Sequence, residues 1–344
     1  MRWSSATASE RGSSHERSGT VNQDAVGVVE GSEARVVAVA DGHGSSSHVR
    51  SDVGSRLAVE IAGELGKRLV DDGVLDRPRH VIVEHLTRRF VPDVVAAWRS
   101  GVDDHVAAQP WSVADLDRGP GLVNDPYHGY GTTLMVAIVD ERRVALVQLG
   151  DGDIVVGRRS GSITQPMPGD DRLIGNQTTS MCLPTAVDDF RVALVEIHDD
   201  PVRFVSLTTD GYANAFVSPD WATEVGSDLL GHLDTHGLHW VAERLPEWLS
   251  ESASVGGDDV TMGLLVADVV EIDVPDPPPD PLGIDDGPTA VMPGTAPARN
   301  LSSADFEAST LRPVGRRRVW RVVALISVSL AVAAGAVVAA VFVI

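Results

Sequence analysis

The sequence predicts an α+β fold in which antiparallel sheets are covered by helices. Two observations predict it. Apolar runs with strand character and amphipathic helical patterns come in blocks along the chain instead of alternating strictly, which disfavours a parallel sheet. The chain has 344 residues, so it is long enough to bury a sizeable core.

The first block predicts a hairpin followed by two helices. Residues 1–20 show no hydrophobic period, so we expect an irregular start. Residues 24–30 and 35–40 are apolar runs joined across Gly31-Ser32, which predicts a β-hairpin. Apolar residues then recur at the four-residue spacing of two amphipathic helices. These residues are Val53, Leu57, Ile61, Leu65 and Leu69, followed by Ile82, Leu86, Phe90 and Val94.

The second block follows a polar connection over 101–128, whose length and three prolines are typical of a functional loop. From Gly131 onward the period is that of strands, with helices over 229–249. The predicted strands are 132–139, 144–150, 154–157, 190–197, 203–208 and 261–269.

The composition changes beyond Asp273 and divides the chain into three parts: a folded domain over 1–272, a linker over 273–315 and a terminal segment over 316–344. The linker is acidic and has eight prolines between 275 and 297, so it is expected to be stiff and unable to build a core. It is interpreted as a stalk.

The terminal segment has the pattern of a membrane anchor. Residues 322–344 carry no charge over 23 positions and follow a cluster of arginines with Trp320 beside it. A C-terminal transmembrane helix is therefore expected. By the positive-inside rule the folded domain faces the cytoplasm, which makes the protein a single-pass protein of the cell membrane.

Charge and cysteine content exclude some functions. The formal net charge of −21 disfavours nucleic-acid binding, which needs a basic face. The single cysteine, Cys182, excludes an intrachain disulfide and a multi-thiolate zinc site. No apolar signal region is visible in the first thirty residues.

The segment Val39-Ala40-Asp41-Gly42-His43-Gly44 places a carboxylate at the end of a buried strand, between flexible glycines. A strand-end carboxylate with an open carbonyl and a histidine suits a hard cation. A plain turn after a strand fits the same residues, since Asp-Gly is a common turn pair.

Further carboxylates share these surroundings at predicted strand ends and can converge with Asp41. Like charges brought together repel unless cations neutralise them, and oxygen ligands suit Mg²⁺ or Mn²⁺. The carboxylates are Asp24 after Asn22-Gln23, Asp151 in Gly150-Asp151-Gly152, Asp210 in Thr209-Asp210-Gly211, and the pair Asp258-Asp259.

The order of these motifs, with Gly131-Thr132-Thr133-Leu134 among them, resembles the metal-dependent Ser/Thr protein phosphatases of the type-2C-like (PPM) family. The resemblance runs from about Gly12 to Val269. The segments Gly12-Ser13-Ser14-His15 and Asn176-Gln177-Thr178-Thr179 look like a bacterial branch of that family.

The resemblance implies an αββα sandwich and a protein-serine/threonine phosphatase that uses a metal-activated water. It implies two Mn²⁺ or Mg²⁺ ions about 3.5 to 4 Å apart. Asp41 would bridge the ions and His43 would protonate the leaving oxygen. The other implied ligands are the Gly42 carbonyl, Asp210, Asp258, Asp24 and, for a third ion, Asp151. Expected partners are phosphorylated Ser/Thr proteins, including kinases and kinase substrates, and the membrane through the C-terminal helix.

The sequence departs from the family pattern at three positions. Gly19 stands where many relatives have an arginine that binds the substrate phosphate, so Arg17 or His15 is the expected replacement. Gln23 replaces a frequent Glu and Asp259 a frequent Asn. Two alternatives remain. One is a membrane-tethered pseudophosphatase that binds phosphorylated proteins, and the other is another metallohydrolase, such as a phosphodiesterase.

Overall fold

A computed structural model describes residues 2–31, 34–173 and 178–268 and shows two five-stranded antiparallel sheets. The first sheet has the order β2-β3-β4-β5-β8, and its strands are Ala25–Glu30, Arg35–Ala40, Leu134–Val139, Arg143–Leu149 and Arg191–Glu196. The second has the order β1-β10-β9-β6-β7, and its strands are Arg2–Glu10, Val260–Asp268, Val202–Thr208, Asp153–Arg158 and Ile163–Thr164.

Helices cover the outer face of each sheet. In chain order, the helices are α1 (Ser13–Ser18), α2 (Ser51–Asp71), α3 (Arg79–His85), α4 (Val91–Ala108), α5 (Val113–Arg118), α6 (Ala186–Asp189), α7 (Asp210–Ala213) and α8 (Trp221–Gly256). A π-helical segment, Leu86–Phe90, joins α3 to α4, and single 3₁₀ turns occur at Val74–Asp76 and Pro126–Tyr130. Helix α8 is interrupted at Gly237, where φ is +78°.

Three apolar layers hold these elements together. The inner layer lies between the sheets, and buried side chains such as Val37, Leu146 and Leu207 alternate with outward-facing ones along each strand. The predicted stripes of α2 and α4 pack on the outer face of the first sheet, where Trp98 is fully buried. Helix α8 packs on the outer face of the second sheet through residues such as Leu229. The predicted αββα sandwich is therefore confirmed.

The transmembrane part of the predicted fold class is wrong. Among the helices within the described residues, none combines the length and the apolar character that a membrane span requires. The predicted anchor at 316–344 and the linker at 273–315 lie outside the described residues. Within the part of the chain that the structure describes, the fold class is corrected to an αββα sandwich with no transmembrane helix.

Two local predictions are also corrected. Residues 2–10 were expected to be irregular, but they form β1, which pairs with β10 from Arg2 opposite Asp268 to Glu10 opposite Val260. The polar connection over 101–128 is partly helical: α4 continues to Ala108, and α5 begins at a capping box between Ser112 and Asp115.

The antiparallel pairing brings several strand ends to one edge of the sandwich. Ala25 pairs with Ala40, so the start of β2 and the end of β3 lie side by side. Thr208 pairs with both Asp153 and Met262, so the end of β9 lies between the starts of β6 and β10. Residues that precede or follow these strands therefore meet at this edge.

Candidate active site

An open cleft of about 1280 Å³ lies at this edge and is lined with carboxylates. Of the residues predicted from the sequence, six line it: Asp41, Gly42, His43, Asp151, Asp210 and Asp258. Asp24 does not line the cleft, but it lies near enough to Asp41 for its charge to help raise the pKa of the Asp41 carboxyl. The structure thus brings the strand-end carboxylates together.

Paired threonines fix the backbone of Asp41. The Asp41 N–H donates to Thr133 Oγ1 at 3.0 Å, and the Asp41 carbonyl accepts from the Thr133 N–H and the Thr132 hydroxyl, both at 2.8 Å. Both threonines are almost completely buried. The Gly131-Thr132-Thr133 motif therefore holds the end of β3 in place from the neighbouring strand.

Gly42 lies where no side chain fits. A Cβ at this position would lie 2.5 Å from the Gln23 carbonyl oxygen and 2.7 Å from that of Ser51. Gln23 is buried, and its amide nitrogen donates to Ser51 Oγ at 2.5 Å and to the His43 carbonyl at 3.2 Å. Gln23 therefore supports the turn that carries Gly42 and His43.

Two threonines hold Asp24 behind the cleft. Thr209 Oγ1 donates to Asp24 Oδ2 at 2.8 Å, and Thr261 helps to lower the pKa of the same carboxyl group. The Thr209 hydroxyl also accepts from the Thr261 N–H at 2.9 Å. The ends of β9 and β10 are thereby tied to the entry of β2.

The carboxylates strongly perturb one another. Burial, followed by the charges of neighbouring carboxylates, raises the pKa of Asp24 and of Asp41 well above the ordinary value. Burial is also the main cause that raises the pKa of Asp210, and the charges of Asp151 and Asp258 raise it further. Anionic oxygens gathered in this way favour a divalent cation, so the donor set fits hard ions such as Mg²⁺ or Mn²⁺.

Asp151 and Asp210 receive polar support on the other side of the cleft. Thr178 Oγ1 donates to Asp151 Oδ1 at 2.9 Å, and Asn214 Nδ2 donates to Asp210 Oδ2 at 3.1 Å. Neighbouring Asp153 does not line the cleft. Its carboxylate accepts from Gln165 Nε2 at 2.8 Å, and its burial raises its pKa to about 6.

His43 lies in the cleft wall beside two other histidines. Its ring centroid is 4.9 Å from that of His48, whose ring is 4.3 Å from that of His128. Burial, with smaller contributions from His48 and His128, lowers the pKa of His43 to about 3. The His43 imidazole is therefore neutral near pH 7 and keeps one N–H.

Neither residue predicted to bind the substrate phosphate lines the cleft. His15 lies behind it, with Nδ1 2.9 Å from Asp259 Oδ1 and Nε2 4.0 Å from Asp258 Oδ1. Arg17 donates to the hydroxyls of Ser13 at 3.3 Å and Ser14 at 3.0 Å on the exposed surface of α1.

Sequence reasoning missed one cationic residue of the cleft, Arg172. Its Nε donates to Asp170 Oδ1 at 2.7 Å, and its Nη1 contacts Asp189. No motif surrounds Arg172, so only the folded arrangement identifies it. His128 and Cys182 also line the cleft without any signal in their sequence neighbourhood.

Comparisons with known proteins identify the family to which the chain belongs. The family described as protein phosphatase 2C matches residues 11–250, which is more than half of the chain. The chain belongs to the protein phosphatase 2C family. No curated protein matches the chain in sequence.

Solved structures show the same fold. A bacterial serine phosphatase is 15% identical with a TM-score of 0.52, and the match covers 78% of this chain and 98% of that one. The serine/threonine phosphatase Stp1 from Staphylococcus aureus is 14% identical with a TM-score of 0.53, over 78% of this chain and 96% of that one.

Family membership confirms the resemblance predicted from the sequence. The protein is a serine/threonine phosphatase, and its cofactor is a divalent metal ion.

Proposed function

We propose that the protein hydrolyses phosphoserine and phosphothreonine in proteins, with the phosphoryl group bound above the carboxylate cluster. The observation that carries this proposal is the convergence of Asp41, Asp210 and Asp258 on one cleft. Family membership supports the same reaction. Phosphorylated kinases and kinase substrates are the proposed partners.

Two Mn²⁺ or Mg²⁺ ions are the proposed cofactors, with a third, weaker one at Asp151. Asp41 would bridge the two ions and the Gly42 carbonyl would bind one of them. Asp210 and Asp258 would hold the other, and Asp24 would contribute directly or through water. The raised pKa values of Asp24, Asp41 and Asp210 support this set, because a cation would relieve their mutual repulsion.

When bound, the metal ions would supply positive charge to the phosphoryl oxygens and would activate a water for attack. The protein holds the reacting groups around them. Thr132 and Thr133 fix Asp41 from the neighbouring strand. As the bond from phosphorus to the seryl or threonyl oxygen breaks, that oxygen must gain a proton. We propose that the N–H of the neutral His43 ring donates a hydrogen bond to that oxygen from the cleft wall, and that the proton comes from the attacking water, which loses one as it bonds to phosphorus.

Two residues are proposed to contact the substrate phosphate in place of the missing arginine. His15 approaches the cleft closely, since its Nε2 would lie 3.8 Å from a Cβ at Gly44. Arg172 carries a guanidinium on the cleft lining itself, and 47% of its side chain is exposed. Arg17 is the weaker candidate, because its guanidinium is bonded to serines outside the cleft lining.

The test is hydrolysis by the full-length protein after EDTA treatment and return of Mn²⁺. A phosphothreonine peptide and p-nitrophenyl phosphate serve as substrates. We expect turnover only with the metal, and its loss in Asp41→Asn and Asp210→Asn. Asp104→Asn, which removes an exposed carboxylate on α4, should leave turnover unchanged.

Other outcomes identify the alternatives. A folded protein that binds Mn²⁺ and the phosphopeptide but turns over neither substrate would instead be a phosphoprotein-binding pseudophosphatase. Faster hydrolysis of bis-p-nitrophenyl phosphate than of the monoester would indicate a phosphodiesterase.

A further inference from the structure

A second group of metal-ligand side chains lies in the wall of the cleft, separate from the carboxylates. It consists of His48, His128 and Cys182, here called the histidine–cysteine cluster. One potential ligand atom from each residue lies within 4.8 Å of the other two. All three residues line the cleft, although they come from three separate segments of the chain.

Hydrogen bonds orient both imidazoles. His48 Nδ1 lies 2.5 Å from the His128 carbonyl oxygen, and a carbonyl can only accept, so Nδ1 carries the proton. His48 Nε2 is then left with a free lone pair. A backbone carbonyl on the far nitrogen is the usual arrangement that orients a metal-binding histidine. His128 Nε2 lies 3.0 Å from Ser47 Oγ, which orients the second ring.

The third member is the only thiol of the chain. Cys182 is buried, with 6% of its surface exposed, and its sulfur lies 3.2 Å from Ser180 Oγ. Family chemistry at the carboxylates uses no thiol, so Cys182 has no assigned role there. Its place beside two imidazoles gives it partners that an isolated core cysteine lacks.

Ligand chemistry separates this cluster from the carboxylates. Two imidazole nitrogens and a thiolate suit Zn²⁺ or Co²⁺, whereas carboxylate oxygens suit Mg²⁺ and Mn²⁺. A set of two histidines and one cysteine also leaves the fourth tetrahedral position open to water or substrate. We propose that His48, His128 and Cys182 bind one Zn²⁺ ion in the wall of the catalytic cleft.

Because of its position, a metal ion bound at this site would affect catalysis. This expectation rests on the proposed function. The His48 ring is in edge contact with His43, at a centroid distance of 4.9 Å. An ion on His48 would therefore stand beside the leaving oxygen of the substrate. Zn²⁺ is expected to inhibit the phosphatase even when the carboxylates are saturated with Mg²⁺.

Binding is tested with Co²⁺ as a spectroscopic probe on the full-length protein in excess Mg²⁺. We expect one equivalent of Co²⁺ to produce a sulfur-to-cobalt charge-transfer band, which can only arise from Cys182 because the chain has no other cysteine. The band should vanish in Cys182→Ser and in Cys182→Ala. In His128→Gln the affinity for Co²⁺ should fall roughly tenfold or more.

His198→Gln is the matched control, because His198 is exposed and lies outside the cleft lining. It should bind Co²⁺ like the wild type. Thermal unfolding of every variant verifies that the fold persists. A wild-type protein without the sulfur band, or a His128→Gln variant with unchanged affinity, would overturn the site.

Inhibition by Zn²⁺ is measured separately. Cys182→Ser should require roughly tenfold more Zn²⁺ than the wild type for half-inhibition. Equal inhibition of both would mean that Zn²⁺ acts at the carboxylates, which would overturn the inhibitory role. An inactive protein that still shows the cobalt band would disprove the proposed function while leaving the zinc site in place.

Discussion

His15 Nδ1 lies 2.9 Å from Asp259 Oδ1, and this contact connects α1 to the start of β10. The Asp259 carboxylate is 3% exposed and also accepts from two backbone N–H groups, those of Gly12 at 2.8 Å and Gln23 at 2.7 Å. The Asp259 carboxylate thus connects the start of β10 to residues 12–15 and to Gln23. Its two oxygens are both required, because each accepts a different backbone hydrogen.

Replacement of Asp259 by Asn should therefore destabilise the protein. The amide group has one accepting oxygen, so one of the two buried N–H groups would face another donor. An unsatisfied buried group costs about 1–3 kcal/mol in the free energy of unfolding. Urea denaturation measures this loss, with Asp104→Asn as the exposed control. Equal stability of Asp259→Asn and wild type would show that the two N–H bonds contribute nothing.

The threonine pair beside Asp41 leads to a second prediction. Thr133→Val keeps the shape of the side chain but removes the acceptor of the Asp41 N–H. Because this hydrogen bond orients a proposed ligand, we expect a tenfold to hundredfold loss of Mn²⁺ affinity, on the order of that seen for outer-shell partners. Isothermal titration calorimetry measures the affinity.

Thr7→Val is the matched control for Thr133→Val, because Thr7 is exposed on β1. It should bind Mn²⁺ like the wild type. An unchanged Mn²⁺ affinity in Thr133→Val would show that the Thr133 hydroxyl does not help to orient Asp41 for metal binding.

The sequence revealed the carboxylates because their signals are local. Asp41 directly follows a short apolar strand, and Asp210 follows another after one residue. Strands β3 and β9 end where the sequence predicts, at Ala40 and Thr208. Antiparallel pairing then brings such strand ends to a common edge, which is a general consequence of the fold class. The predicted clustering therefore needed little knowledge of distant contacts.

The rest of the site depends on contacts that no local pattern encodes. In strand β1 only Trp3, Ala6 and Ala8 are buried, and the residues between them are polar. Its pairing partner β10 lies at the far end of the described chain. Small buried residues give a weak period, so the strand was missed. Arg172 and Cys182 likewise line the cleft, although neither lies in a strand or helix that the sequence predicts.

The buried carboxylates predict an unusual pH dependence for the metal-free protein. Burial, and then neighbouring charge, raises the pKa of Asp24 and Asp41 above the ordinary value of 3.8, so the folded state binds protons more tightly than the unfolded state. Stability must then fall as the pH rises from 3.8 through the raised values. In EDTA, this contribution makes the fold less stable at pH 7.5 than at pH 5.5. The lowered pKa of His43 contributes in the opposite direction over the same range, so the carboxylate effect is measured as the difference between the wild type and Asp41→Asn.

The variant Asp41→Asn separates this effect from the general influence of a net charge of −21. Without one of the repelling charges, the metal-free variant should melt at a higher temperature than the wild type at pH 7.5, and the difference should shrink at pH 5.5. Mn²⁺ should reverse the order at pH 7.5, because it stabilises only a protein that binds it. A metal-free variant less stable than the wild type at pH 7.5 would contradict the raised pKa.

Arg172 allows the phosphate contact to be tested apart from the metal ions. Loss of a hydrogen bond to a charged group costs about 1.5–3 kcal/mol, so Arg172→Gln should raise the KM for a phosphothreonine peptide roughly tenfold or more. Arg172→Lys should recover part of this loss, because it keeps the charge but not the planar fork. Mn²⁺ affinity should stay unchanged in both variants.

The control is Arg159→Gln, because Arg159 is exposed and does not line the cleft. Arg172 also contacts Asp170 and Asp189, so thermal unfolding must accompany the kinetics. A fall in kcat and melting temperature with an unchanged KM would mean that Arg172 only holds these two carboxylates in place.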